Sequence, residues 1–219
     1  MITYEQIKSD EELRVLISKA DESLAALGFT DHSFAHVGIV SERAGKILEA
    51  LGADKREIEL AKIAGHLHDI GNLVNRSEHS QSGAVMAFRI LDRMGMDMSE
   101  IATIVAAIGN HDEGTGVPVS DVAAALIIAD KSDVRRSRVR NQDLVTFDIH
   151  DRVNYSVVSS DLIIDPEKKV VRLIIEIDTS IGSIMDYFEI FLGRMSMCRR
   201  AADRLGLKFK LTINEQSFI

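Results

Sequence analysis

His68 and Asp69 are adjacent, in the run Ala64-Gly65-His66-Leu67-His68-Asp69-Ile70-Gly71 at the end of an apolar helical stretch. An imidazole nitrogen and a carboxylate oxygen so placed can turn toward one divalent cation, and His36, His79, His111, Asp112 and Asp130 are available to complete its shell. This residue set points to a metal site. Nitrogen and oxygen ligands of this kind suit Fe, Mn, Ni, Co or Zn better than Ca. Cys198 is alone, so neither an intramolecular disulfide nor a thiolate-based zinc site is available.

Each histidine also has a plainer reading. His32 and His36 share a helix face if the helix already includes His32, and Asp31 or Ser33 can cap it. A histidine at position 36 taken alone is more often a cap or a packed core group than a ligand. His66 and His68 are two apart and point to nearly opposite sides of a helix, so His68 pairs with Asp69 while His66 is expected to orient ligands through hydrogen bonds. Gly71 is expected to end the helix and open room beside the carboxylate. His79 opens the next predicted helix, where N-terminal helix chemistry is the alternative. His111-Asp112-Glu113 precedes Gly114-Thr115-Gly116, a loop signal. Asp130 ends the very apolar stretch Ala123 to Ala129, where a buried carboxylate is costly unless a cation or hydrogen bonds compensate.

The elements that must position these residues are helices first and strands last. Leu13, Leu16, Ile17, Ala20, Leu24 and Leu27 form one apolar stripe, and Val37, Val40, Ala44, Ile47, Leu48 and Leu51 form another, with Gly28 and Gly52 closing the two helices. Further helices are predicted near 55–70, 79–95, 97–110 and 118–134. From Tyr155 the period shortens toward two. Val171, Leu173, Ile175 and Ile177 alternate with more polar positions, as do Phe209, Leu211 and Ile213, and Asp165-Pro166-Glu167-Lys168 reads as a turn. Between these strands lies an amphipathic helix whose expected buried side includes Ile184, Met185, Phe188, Phe191, Leu192 and Met195. The predicted fold is mainly α: a helical bundle over 1–150, then a small C-terminal α+β unit, β-β-α-β, over 151–219. Its sheet is expected to be antiparallel, covered by the helix and packed on the bundle.

The ordered set His36, His68-Asp69, Asp130 resembles the H…HD…D signature of the HD superfamily of metal-dependent phosphohydrolases, over roughly residues 30–135. Ala64 to Gly71 is similar to the family's His-Asp-Ile-Gly helix, and Ile128-Ala129-Asp130-Lys131 to its closing Ala-Asp-Lys helix. The resemblance implies an HD-type bundle in which His36, His68, Asp69 and Asp130 hold one ion. It extends toward binuclear members related to the HD-GYP branch, in which Asp69 would bridge and His79 and His111 would hold a second ion. The chain departs from that branch at His111-Asp112-Glu113, where the branch has His-His-Glu, at Gly116-Val117-Pro118, where it has Gly-Tyr-Pro, and at Asn72, where it commonly has Lys. Cyclic di-GMP is therefore not the expected substrate.

The activity so implied is hydrolysis of a phosphomonoester or phosphodiester of a small compound such as a nucleotide, with Asp69, His68 and Lys131 as catalytic residues. Lys131 is the first candidate to meet substrate phosphate. Arg135, Arg136, Arg138 and Arg140 follow it and read equally well as a solvated or intersubunit face, and Arg76 is a weaker candidate. Two other readings remain open: an HD-fold di-iron oxygenase, and a non-catalytic metal-binding signalling module whose tail binds a partner or makes a homodimer.

With 219 residues, 46% of them hydrophobic, the chain has the composition of an ordinary globular protein. The net charge of -8 argues against a general grip on nucleic acid. Met1 to Lys8 lacks the apolar core of a signal peptide, and the longest apolar run, Val122 to Ala129, is too short to span a bilayer, so no membrane contact and a cytoplasmic location are expected.

Overall fold

The structure, a computed structural model, describes residues 1–141, 143 and 147–218. At its centre is α7 (Asp121–Lys131), whose residues Val122 to Ala129 are all buried. An uninterrupted apolar run in a helix this short needs neighbours all round, and α7 has them in α3 (Phe34–Ala50), α4 (Lys55–Leu67), α6 (Met98–Gly109) and α9 (Ile184–Arg204). α3 packs tightly on α4, where a Cβ on Gly65 would stand 2.8 Å from the Cα of Ser41. Glycine lets the two backbones approach.

Helix starts follow their capping residues. The Asp10 side chain accepts from Leu13 N at 2.9 Å to open α2 (Glu11–Ala26), Asp54 accepts from Arg56 N at 2.8 Å to open α4, and Ser120 accepts from Ala123 N at 3.1 Å to open α7. Gly28 and Gly52, at φ +81° and +77°, follow α2 and α3 in the left-handed conformation that glycine tolerates best. α5 (His79–Arg93) packs on α6. Two short helices lie outside the predicted set: α1 (Tyr4–Ser9), which packs on α4, and α8 (Ile149–Ser156), capped by Asp148. Both are too short for their apolar spacing to stand out.

The C-terminal sheet has the order β1 (Val157–Asp165), β2 (Val170–Ile177), β3 (Lys208–Ile213), β4 (Gln216–Ser217). β1 and β2 form an antiparallel hairpin and β4 returns antiparallel to β3. β2 and β3, however, are parallel, which corrects the expected all-antiparallel sheet. The connection between them is α9, and a helical crossover returns the chain in the same direction as the strand it left. Val171, Leu173, Ile175, Phe209, Leu211 and Ile213 are buried as their alternation predicts.

The buried side of α9 differs from expectation. Met185 and Leu192 are 74% and 56% exposed, whereas Tyr187, Met197, Cys198 and Ala201 are fully buried. α9 lies against both α7 and β3, so its buried arc is set by two neighbours rather than one stripe. The buried residues of bundle and sheet form one contiguous hydrophobic cluster. Among the described residues, no helix is long and apolar enough to cross a membrane.

Candidate metal centre

Five helix ends converge on one point. His36 is the third residue of α3, whose cap is Ser33, so His32 lies outside the helix and shares no helical face with it. α4 ends at Leu67, and His68-Asp69 leads into a 3-10 turn over Ile70–Leu73. Gly71 does not end α4. A Cβ there would collide with the His79 carbonyl oxygen and the Gly83 nitrogen, so glycine at 71 lets the turn dock on the start of α5. His79 is the first residue of α5, His111 follows α6, and Asp130 lies in the last turn of α7.

The six expected ligands thus come together around the carboxylate of Asp69. Its Oδ2 lies 3.1 Å from His68 Nε2 and 3.6 Å from His36 Nε2. Its Oδ1 lies 3.4 Å from His79 Nε2 and 3.9 Å from His111 Nε2. Asp130 Oδ1 stands 3.4 Å from His36 Nε2 and 3.8 Å from His68 Nε2. Donor atoms of His36, His68 and Asp130 lie within 4.8 Å of one another, as do those of His68, Asp69 and His111. One carboxylate therefore presents each of its oxygens to a separate pair of histidines.

The other nitrogen of each ring explains why this arrangement fits a cation. His68 Nδ1 meets the Gly65 carbonyl at 2.8 Å, His79 Nδ1 the Arg76 carbonyl at 3.1 Å, and His111 Nδ1 the Ile108 carbonyl at 2.6 Å, while His36 Nδ1 meets Asp133 Oδ2 at 2.7 Å. All four partners are acceptors, so each Nδ1 donates its proton outward and each ring turns Nε2 inward. His36 Nε2 and His68 Nε2 are buried with no hydrogen-bond partner, and the Nε2 atoms of His79 and His111 face each other at 3.2 Å. Lone pairs held this close need a proton or a cation between them. Burial pushes His111 down to about 3, so its ring is neutral at pH 7, the form that binds metal. Burial alone would raise Asp69, but His68 and His32 outweigh it and hold the carboxyl ionised. The donor set fits one or two divalent ions.

Asp130 is oriented by its neighbour. Lys131 Nζ lies 2.8 Å from Asp130 Oδ2 and 3.3 Å from Glu113 Oε2, which leaves Asp130 Oδ1 for the histidines. Burial would discharge this lysine, but the two carboxylates keep it protonated. Its ammonium is engaged by protein rather than open to substrate.

The arginines beyond it are mostly structural. Buried Arg138 donates to the carbonyls of Asp31 and Asp133, Arg135 donates to Asp133 Oδ1, Arg136 donates to the Tyr155 carbonyl, and Arg140 reaches Asp21. His66 does not orient the ligands. Neither of its buried ring nitrogens has a hydrogen-bond partner among the described residues, and its ring packs edge-on against Tyr4. That orienting task falls to Asp133 and three backbone carbonyls. Sequence reasoning also missed Glu113 and Arg194 of α9, whose Nε stands 2.8 Å from Glu113 Oε1. Asp133 follows the Asp130-Lys131 pair closely, and that nearness was the one available signal.

The sequence model of the HD domain matches residues 33–152, more than half of the chain, and the chain belongs to the HD domain family. It is 23% identical over 160 residues to the uncharacterised protein MJ1020 of Methanocaldococcus jannaschii, a match covering 63% of this chain and 61% of the relative. The chain thus spans about six-tenths of the length of the curated relative it matches. It is also similar to the crystal structure of a predicted HD superfamily hydrolase from an uncultured Thermotogales bacterium, at 28% identity and a TM-score of 0.44, covering 62% of this chain and 75% of that one.

Proposed function

We propose that this protein is a metal-dependent phosphohydrolase acting on a small phosphorylated compound, such as a nucleotide. The observation that carries this reading is the inward convergence of four histidine Nε2 atoms on the two oxygens of Asp69, two of them buried without a partner. In this reading His36, His68, Asp69 and Asp130 would hold one ion, and Asp69, His79 and His111 would hold another. Ions so held supply an acidified water and positive charge for phosphate oxygens. The protein's own part is to fix the donor atoms. Asp133 and the carbonyls of Gly65, Arg76 and Ile108 set the histidine tautomers, and Lys131 turns Asp130 toward them. Lys131 is then a positioning residue. Membership of the HD domain family supports the same class of activity.

The test uses protein purified without chelator. Metal content is measured, and phosphate release is followed from a panel of nucleotides and phosphate esters with Mn under anaerobic conditions. Two metal equivalents per chain, and release that Asp69→Ala abolishes while the circular dichroism spectrum is retained, are expected. Oxygen consumption dependent on Fe, with no phosphate released from any ester, would replace hydrolysis with an oxygenase reaction.

A further inference from the structure

A cavity of about 310 Å3 lies beside the metal centre, and its wall is drawn from distant parts of the chain, with Asp148 and Asp151 among its lining residues as well as arginines. On the side of the centre are His32, whose Nε2 is 4.0 Å from Asp69 Oδ2, and Arg76, whose Nη1 is 4.0 Å from Asp69 Oδ1. Phe191 and Arg194 of α9 line the same cavity, although both lie outside the segment that matches the HD domain. Each of these two arginines rests over a phenylalanine. The Arg76 guanidinium carbon is 5.7 Å from the ring centre of Phe29, and that of Arg194 is 4.4 Å from the ring centre of Phe191.

A guanidinium seated on a ring keeps its N–H groups directed along its own plane, the geometry that grips phosphate oxygens two at a time. Glu113 holds Arg194 through Nε, and among the described residues no acceptor engages its two terminal nitrogens. Arg138 also lines the cavity, but it is buried and tied to the carbonyls of Asp31 and Asp133.

We propose that Arg76 and Arg194 form a clamp for the terminal phosphate of a small phosphomonoester, so that α9 supplies a substrate-binding residue to the metal centre. This inference rests on the phosphohydrolase reading and narrows its substrate. A monoester phosphate is largely a dianion at neutral pH, its second pKa being about 6, and has three unesterified oxygens to divide between two guanidinium forks and the centre. A diester has two such oxygens and a single charge. The cavity is at the small end of the roughly 300–1,000 Å3 common for ligand sites, which suits one phosphorylated unit rather than a polymer.

Calorimetric titration of Mn-loaded protein with inorganic phosphate tests the clamp. Arg194→Met should weaken phosphate binding at least tenfold with Mn content unchanged, and Arg194→Lys should restore part of the loss. Arg199→Met, on the exposed side of the same helix, should bind as the wild type does, and dimethyl phosphate should bind far more weakly than phosphate. If Arg194→Met fails to fold, Arg194→Gln, which keeps a polar nitrogen where Nε stands beside Glu113, is held to the same tenfold criterion. Unchanged phosphate affinity in a folded Arg194 variant, in a protein that does release phosphate from esters, overturns the clamp alone. A wild type that neither binds phosphate nor releases it from any ester overturns the clamp and the phosphohydrolase reading together.

Discussion

Asp133 places no donor atom in the centre, yet it decides which nitrogen His36 presents there. A neutral amide accepts the Nδ1 proton less strongly than a carboxylate does. Asp133→Asn should therefore weaken metal binding by about 10–100-fold, the usual cost of losing a partner that orients a ligand. Competition with a chromophoric chelator reads this directly, and an unchanged affinity would show that His36 is oriented by something else. The six residues that converge here were legible in sequence because each sits at a helix end in an order shared with a known signature. Asp133 was not, because its partner lies 97 residues away and only the packing of α3 against α7 joins them. Arg194 was hidden for the same reason: nothing local to α9 says that Glu113 faces it.

Gly71 shows how much an element can depend on a missing side chain. An alanine there would push the turn after Asp69 off the start of α5, where the obstacles are backbone atoms that cannot swing aside. Overpacking of this kind costs about 1–3 kcal/mol, and a chain of this size loses roughly 2–4 °C in Tm per kcal/mol. Gly71→Ala should accordingly lower Tm by several degrees and also loosen metal binding, because His79 opens the helix that moves. Thermal unfolding followed by circular dichroism, with metal analysis of the same sample, checks both. A drop in Tm with metal affinity intact would mean that the turn shifts without α5. At this scale the sequence showed the long helices and the strand faces well. It did not show the parallel pairing of β2 with β3, because alternation marks which face is buried but is the same for either strand direction.

Across the whole molecule, the buried residues of the bundle, α9 and the sheet belong to one cluster. Calorimetry should then record a single cooperative unfolding transition, and two separated transitions would show that the sheet melts independently. Divalent ion should shift that transition upward: at a hundredfold excess over Kd the linkage is about 2.7 kcal/mol, or roughly 5–10 °C here, and chelator should reverse it. The facing nitrogens of His79 and His111 also bear on the order of assembly. Two ring nitrogens that share a proton until a cation displaces it make ion capture a late, latching event in maturation. A newly made chain would settle its interior first and leave the segments around 68–79 and 110–116 to close last. Those same segments would be the first to admit deuterium when the ion is withdrawn.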